Sequence, residues 1–203
     1  MIKVLHTGDI HLDSPFSGLS PDRAELRRAE LRSAFTSMMT YARTGDIDIV
    51  LVTGDLFESR YITRETAELV TGEFSRVGCP VIVSPGNHDP YTHGSIWEKI
   101  KMPDNVKVFS SDVLQCFSFP ELNTDVYGYA FVSGEMTSVP LASASVADRG
   151  RINLICAHAD MTSPLSHSAP LSKDVLASFG ADTARRIASA SCSRRVASDL
   201  AMS

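Results

Sequence analysis

Four short polar stretches carry side chains suited to holding divalent cations: Asp9-Ile10-His11, Gly54-Asp55, Gly86-Asn87-His88-Asp89 and, much later, a lone His158. Carboxylate, imidazole and amide oxygen together suit hard or borderline ions such as Mn²⁺, Mg²⁺, Fe²⁺ or Zn²⁺, and the absence of thiolates among them argues against structural zinc. A carboxylate has two oxygens, so Asp55 is able to bridge two ions. Two ions about 3.5–4 Å apart clamp both the attacking and the leaving oxygen of an in-line phosphoryl displacement. Taken singly, Asp-x-His or Gly-Asp recurs by chance. Taken together and in order, with the rarer Gly-Asn-His-Asp among them, they make a specific pattern.

Such side chains must be brought together by the elements that precede them. Short apolar runs rich in β-branched residues read as strands over 2–7, 47–53, 80–84, 106–109, 113–119, 126–132 and 152–157, and they alternate with helical patterns, which predicts an α/β layered fold. Asp9 and His11 follow the first of these strands, Asp55 the second, Asn87 and His88 the third, and His158 the last. Open α/β sheets place their ligands just past the carboxyl ends of strands, so four separate strands are expected to converge on one crevice. Gly54 and Gly86 stand immediately before candidate ligands, where the chain must turn sharply and bring its backbone close to the bound groups. A helix is predicted from Ser20 as N-cap and Pro21 at its first position to a stop at Gly45, with Leu31, Phe35, Met38 and Ala42 as its apolar face. A second helix is predicted from about Thr63 to Val77. Residues 134–150 and 162–170 read as surface connections.

Composition narrows the class of protein. A chain of 203 residues with 43% hydrophobic and 21% charged residues fits one globular domain with a sizeable core. A formal net charge of −5 excludes the basic footprint of a nonspecific nucleic-acid binder, so any such contact is expected to be local, through metal ions and a few arginines. The four cysteines are scattered without a C-x-x-C pair, which points to a reducing, cytoplasmic setting. No apolar run approaches the roughly 20 residues that span a bilayer, and no membrane partner is expected. Among the remaining histidines, His6 is expected to be packed or hydrogen-bonded within the first strand, His93 solvent-exposed and His167 a candidate to face substrate. Cys156 and Trp97 read as packing.

The motifs Asp9-x-His11, Gly54-Asp55, Gly86-Asn87-His88-Asp89 and His158 resemble the signature of the calcineurin-like metallophosphoesterase superfamily. The runs from His6 to Phe16 and from Gly54 to Phe57 are most similar to the SbcD-type DNA repair exonucleases, and the resemblance covers residues 1–182. It implies an αββα sandwich and a centre of two divalent ions, Mn²⁺ foremost, with Asp9, His11 and Asp55 at one ion and Asp55, Asn87 and His158 at the other. It further implies that His88 is the catalytic histidine that assists the leaving oxygen, that DNA is the substrate, and that an ATPase of the SbcC type is a partner. A general acid of this kind needs its second ring nitrogen held. Glu58, three residues past Asp55, is the candidate partner, with a solvated surface carboxylate as the alternative.

The sequence departs from that family in one respect. The superfamily pattern closes with Gly-His-x-His, yet none of the six histidines follows His167. Phe179-Gly180-Ala181-Asp182 resembles the lead-in to the closing strand, and the similarity stops at Thr183. Fourteen of the last twenty-one residues are Ala, Ser or Arg, which predicts a disordered tail over 183–203, of the kind an out-of-frame reading of GC-rich DNA produces. The expectation is a domain truncated at its C-terminus, with three protein ligands per ion and impaired activity. Two other functions compete with the exonuclease: a phosphoesterase for small substrates, and a non-catalytic truncated domain.

Overall fold

The computed structural model describes residues 2–182; the predicted tail lies outside them. Among these residues seven strands form two sheets. The first has the order β1 (Val4–Thr7), β2 (Ile49–Thr53), β3 (Val81–Ser84) and β4 (Val106–Val108), all parallel. The second has the order β5 (Gln115–Phe119), β6 (Thr124–Gly128) and β7 (Ile152–Cys156), antiparallel between β5 and β6 and parallel between β6 and β7. Helices α1 (Pro21–Thr44), α2 (Arg64–Arg76), α3 (Ile96–Lys99) and α4 (Lys173–Phe179) complete the described elements with two short 3₁₀ turns.

Strand alternation builds the layers. Val50 and Val52 of β2 and Val81 and Val83 of β3 pack with Phe35 and Met39 of α1 and Val70 and Phe74 of α2. The intervening Ile49, Leu51 and Ile82 face the other way, into a cluster with Val126, Leu154 and Cys156 of the second sheet. On the far side of that sheet Tyr127 and Ile155 pack with Leu176 and Phe179 of α4. The result is helix, sheet, sheet, helix, the expected αββα arrangement. Because β2 and β3 are covered on both faces, they read as continuous apolar runs, as parallel strands do. The Cys156 thiol donates to the carbonyls of Val52 and Ile82 at 3.6 Å each, so it joins the two sheets, and burial pushes its pKa up.

Helix α1 starts at Pro21 as expected, but its buried residues are Ala24, Phe35, Met39 and Ala42, with Met38 only partly covered. Thr63 caps α2, its hydroxyl accepting from the Thr66 N–H. The strand predicted over 126–132 instead pairs over Thr124–Gly128. Beyond Gly128 the chain crosses to the first sheet: Ala130 donates to Ser111, Phe131 to Pro85, and the Ser84 hydroxyl to Tyr129. The connection at 134–150 is not purely surface, since Val139, Leu141 and Val146 are buried against Phe179. No helix among the described residues is long and apolar enough to cross a membrane.

Candidate metal centre

The loops leaving β1 and β2 run side by side. Asp9 N–H donates to Gly54, His11 to Asp55 and Leu12 to Leu56, and Glu58 returns a hydrogen bond to Leu12, all at 2.9–3.1 Å. This extension of the ladder brings Asp9 and His11 level with Asp55. Asp9, His11 and Asp55 all have φ between 50° and 52°, a left-handed conformation that costs a non-glycine residue energy and is characteristic of functional loops.

The two glycines are required by close approach. A Cβ on Gly54, whose φ is +79°, would stand 2.3 Å from the His158 ring, and one on Gly86 would stand 2.2 Å from the Asp55 carboxylate. With both bare, β7 delivers His158 against the end of β2. His158 Nε2 then lies 3.0 Å from Asn87 Oδ1 and 3.4 Å from Asp55 Oδ2, while His11 Nε2 lies 3.7 Å from that same oxygen. His158 Nδ1 lies 3.4 Å from the Thr53 carbonyl, which can only accept, so Nε2 is the ring nitrogen turned toward Asn87 and Asp55. The other Asp55 oxygen accepts from the His88 N–H at 2.9 Å.

His88 is 44% exposed, and its Nδ1 lies 3.0 Å from Glu58 Oε2. The partly buried Glu58 is therefore no solvated surface carboxylate, and the same oxygen lies 3.6 Å from His11 Nδ1. Asp9, Asp55 and Glu58 face only imidazoles: among the described residues no lysine or arginine pairs with any of them. Ligand atoms of Asp9, His11 and Asp55 lie within 4.8 Å of one another. Converging carboxylates without a basic partner, beside imidazoles and an amide oxygen, fit divalent cations as the neutralising charge.

Asp89 was in the motif, but its role was not visible in the sequence. Fully buried, its carboxylate accepts four backbone N–H groups, from Asp55 and Phe57 at 3.2 Å, Leu56 at 2.9 Å and Gly86 at 2.7 Å. It ties the loop carrying Asp55 to the loop carrying Asn87 and His88, and its own carbonyl accepts from the Trp97 indole. Burial pushes its pKa up to about 8 while the N–H groups pull it down; all four contacts are ones that an anion accepts. The signal available in the sequence was an acid directly after the Gly-Asn-His turn with no nearby base. The other histidines stand apart. His6 is exposed on β1 rather than in the core and hydrogen-bonds to Thr53, His93 is fully exposed, and the exposed His167 pairs with Glu135.

A two-sheet sandwich with acids, an amide and imidazoles gathered at the carboxyl ends of β1, β2, β3 and β7 defines a metal-dependent hydrolase. The chain belongs to the calcineurin-like phosphoesterase family, whose model matches residues 2–186. It is 32% identical over 137 residues to the uncharacterized metallophosphoesterase YhaO of Bacillus subtilis, covering 63% of this chain and 33% of that protein. It is 33% identical over 93 residues to the DNA double-strand break repair protein Mre11 of Aeropyrum pernix, covering 44% of this chain and 21% of the relative. The SbcD component of the SbcCD nuclease of Escherichia coli K12 is 29% identical over 91 residues, covering 43% of this chain and 21% of that component. The matched region thus spans a third or less of each of these relatives. The family is one of hydrolytic enzymes that bind divalent metals.

Proposed function

We propose that residues 1–182 form the phosphoesterase domain of a manganese-dependent DNA exonuclease acting in DNA repair in the cytoplasm, with an ATPase of the SbcC type as partner. The observation that carries the phosphodiesterase reading is the meeting of Asp9, Asp55, Asn87 and His158 from four strands with no lysine or arginine among the described residues paired to the two acids. In this reading Asp9, His11 and Asp55 hold one divalent ion, and Asp55, Asn87 and His158 hold a second. Bound there, the ions supply Lewis acidity toward phosphate and lower the pKa of water.

The chain's own groups do the rest. Asp55 is held by the His88 N–H through one oxygen, so the other is aimed between the two ligand sets. Glu58 engages His88 Nδ1, which fixes the ring and leaves Nε2 as the atom that protonates the departing sugar oxygen. The names of the Mre11 and SbcCD relatives support DNA as the substrate and an assembly of more than one kind of chain. The net charge of −5 favours a second reading, a phosphoesterase for small substrates. Among the described residues this reading gives each ion three protein ligands, with Asp55 counted at both.

The test compares Mn²⁺-dependent hydrolysis of linear duplex DNA with that of p-nitrophenyl phosphate and bis(p-nitrophenyl) phosphate, with His88→Ala as the control. DNA cleavage that needs both Mn²⁺ and His88 supports the exonuclease. Cleavage of the aryl esters alone moves the assignment to a small substrate, and metal-independent cleavage overturns both.

A further inference from the structure

We infer that Arg60 and Tyr61 form a nucleotide subsite beside the reacting centre, the arginine taking a phosphate next to the scissile one and the tyrosine ring stacking on a base; this rests on the phosphodiesterase reading above. Residues 58–61 make a tight turn closed by Tyr61 N–H donating to the Glu58 carbonyl at 2.9 Å. The turn is fastened to the site twice. Its first residue holds the His88 ring through Nδ1, and its second donates a backbone hydrogen bond to the His88 carbonyl at 3.3 Å. The two remaining turn residues are therefore carried on the rim of the site, on the side of the half-exposed His88.

Both are presented to solvent. Arg60 is exposed and makes no hydrogen bond or ion pair among the described residues, as is true of Arg23 and Arg43 of α1, but of these it is Arg60 that sits in the turn fastened to His88. Tyr61 is 52% exposed, so its ring is open to a ligand. In a protein of net charge −5, an unengaged guanidinium beside a cluster of acids supplies local attraction for an anion. Its planar donors suit a phosphate, and an adjacent exposed ring suits a base of any sequence. A simple phosphate ester offers neither a second phosphate nor a base, so this pair distinguishes a polynucleotide from a small ester.

The test uses the full chain and two readouts. Fluorescence anisotropy of a labelled single-stranded oligonucleotide on metal-free protein measures binding without chemistry. With Mn²⁺ added, the ratio of kcat/KM for the oligonucleotide to that for bis(p-nitrophenyl) phosphate measures selectivity. Arg60→Gln and Tyr61→Ala are each expected to weaken binding and lower the ratio by about tenfold, the loss of one phosphate or stacking contact. Tyr61→Phe, which keeps the ring, is expected to restore both. Wild-type binding and ratio in Arg60→Gln and Tyr61→Ala overturn the subsite and leave the phosphodiesterase reading intact. Oligonucleotide binding that depends on Arg60 and Tyr61, in a protein that cleaves neither substrate, overturns the phosphodiesterase reading and leaves the subsite intact. Absence of oligonucleotide binding overturns the subsite.

Discussion

Asp89 shows how one buried carboxylate can set the geometry of a site whose reacting groups it does not touch. Its four N–H donors come from the loops that carry Asp55 and Asn87, so the distance between those two residues depends on it. Asp89→Asn keeps the size but turns an amide NH₂ toward backbone N–H groups. The expected cost is about 2–3 kcal/mol of stability by urea unfolding, together with weaker Mn²⁺ binding by calorimetry. A variant that binds Mn²⁺ like the parent would show that the loops hold their spacing unaided. Glu58 acts on His88 more directly. Glu58→Gln keeps an acceptor but weakens the hold on the His88 ring through Nδ1, and kcat is expected to fall roughly 10–100-fold. The drop should be larger for alkyl than for aryl leaving groups, because only the poor leaving group needs its proton. Equal losses on both would assign Glu58 to packing. The candidate ligands were legible from residue type and order, whereas Asp89 was not, since backbone hydrogen bonds from a distant loop leave no mark in a local pattern.

At the level of elements, Asp13 fastens the loop that carries Asp9 and His11 to the helices. It is buried with φ 63°, and its carboxylate accepts from the Thr63 N–H and hydroxyl, the Thr66 hydroxyl and Arg32. An anion at the first turn of α2 also gains from the helix dipole. Asp13→Ala leaves the Thr63 and Thr66 donors without this acceptor and Arg32 held by Glu25 alone, and about 2–3 kcal/mol of stability should be lost. Hydrogen exchange should show faster opening of residues 9–16 and of the start of α2; protection unchanged in both would refute the tie. The strands were readable because β-branched runs bounded by turn residues have few alternatives. Two features escaped. The extended chain after Gly128 looks like a strand but satisfies its hydrogen bonds across the sandwich, and sequence pattern does not reveal a partner. Helix α4 has its signals in Ser172, which caps Val175, and in Gly180 at φ 85°, but its seven residues are too few for a period to stand out.

Across the whole molecule, the candidate ligands join its two halves. Asp9, His11, Asp55 and Asn87 leave strands of the first sheet, while, among the described residues, His158 alone leaves the second. Between the sheets lies the apolar layer of Ile49, Leu51, Ile82, Val126 and Leu154, crossed by the Cys156 thiol. A cation held by both sheets therefore acts as a clasp on that layer, and its binding energy becomes folding energy. At a Mn²⁺ concentration of ~100 times the dissociation constant the stabilisation is ~2.7 kcal/mol, which for a domain of this size raises Tm by roughly 5–10 °C. Among the described residues His158 is the second sheet's contribution, so His158→Ala should abolish most of the rise. Removing Asp9 should cost less of it, because Asp55 and His11 remain beside each other on the first sheet. Differential scanning calorimetry with and without Mn²⁺, repeated after chelation, makes the comparison. A full Mn²⁺ shift in His158→Ala would mean that the metal sits on the first sheet alone and that the sandwich closes without it.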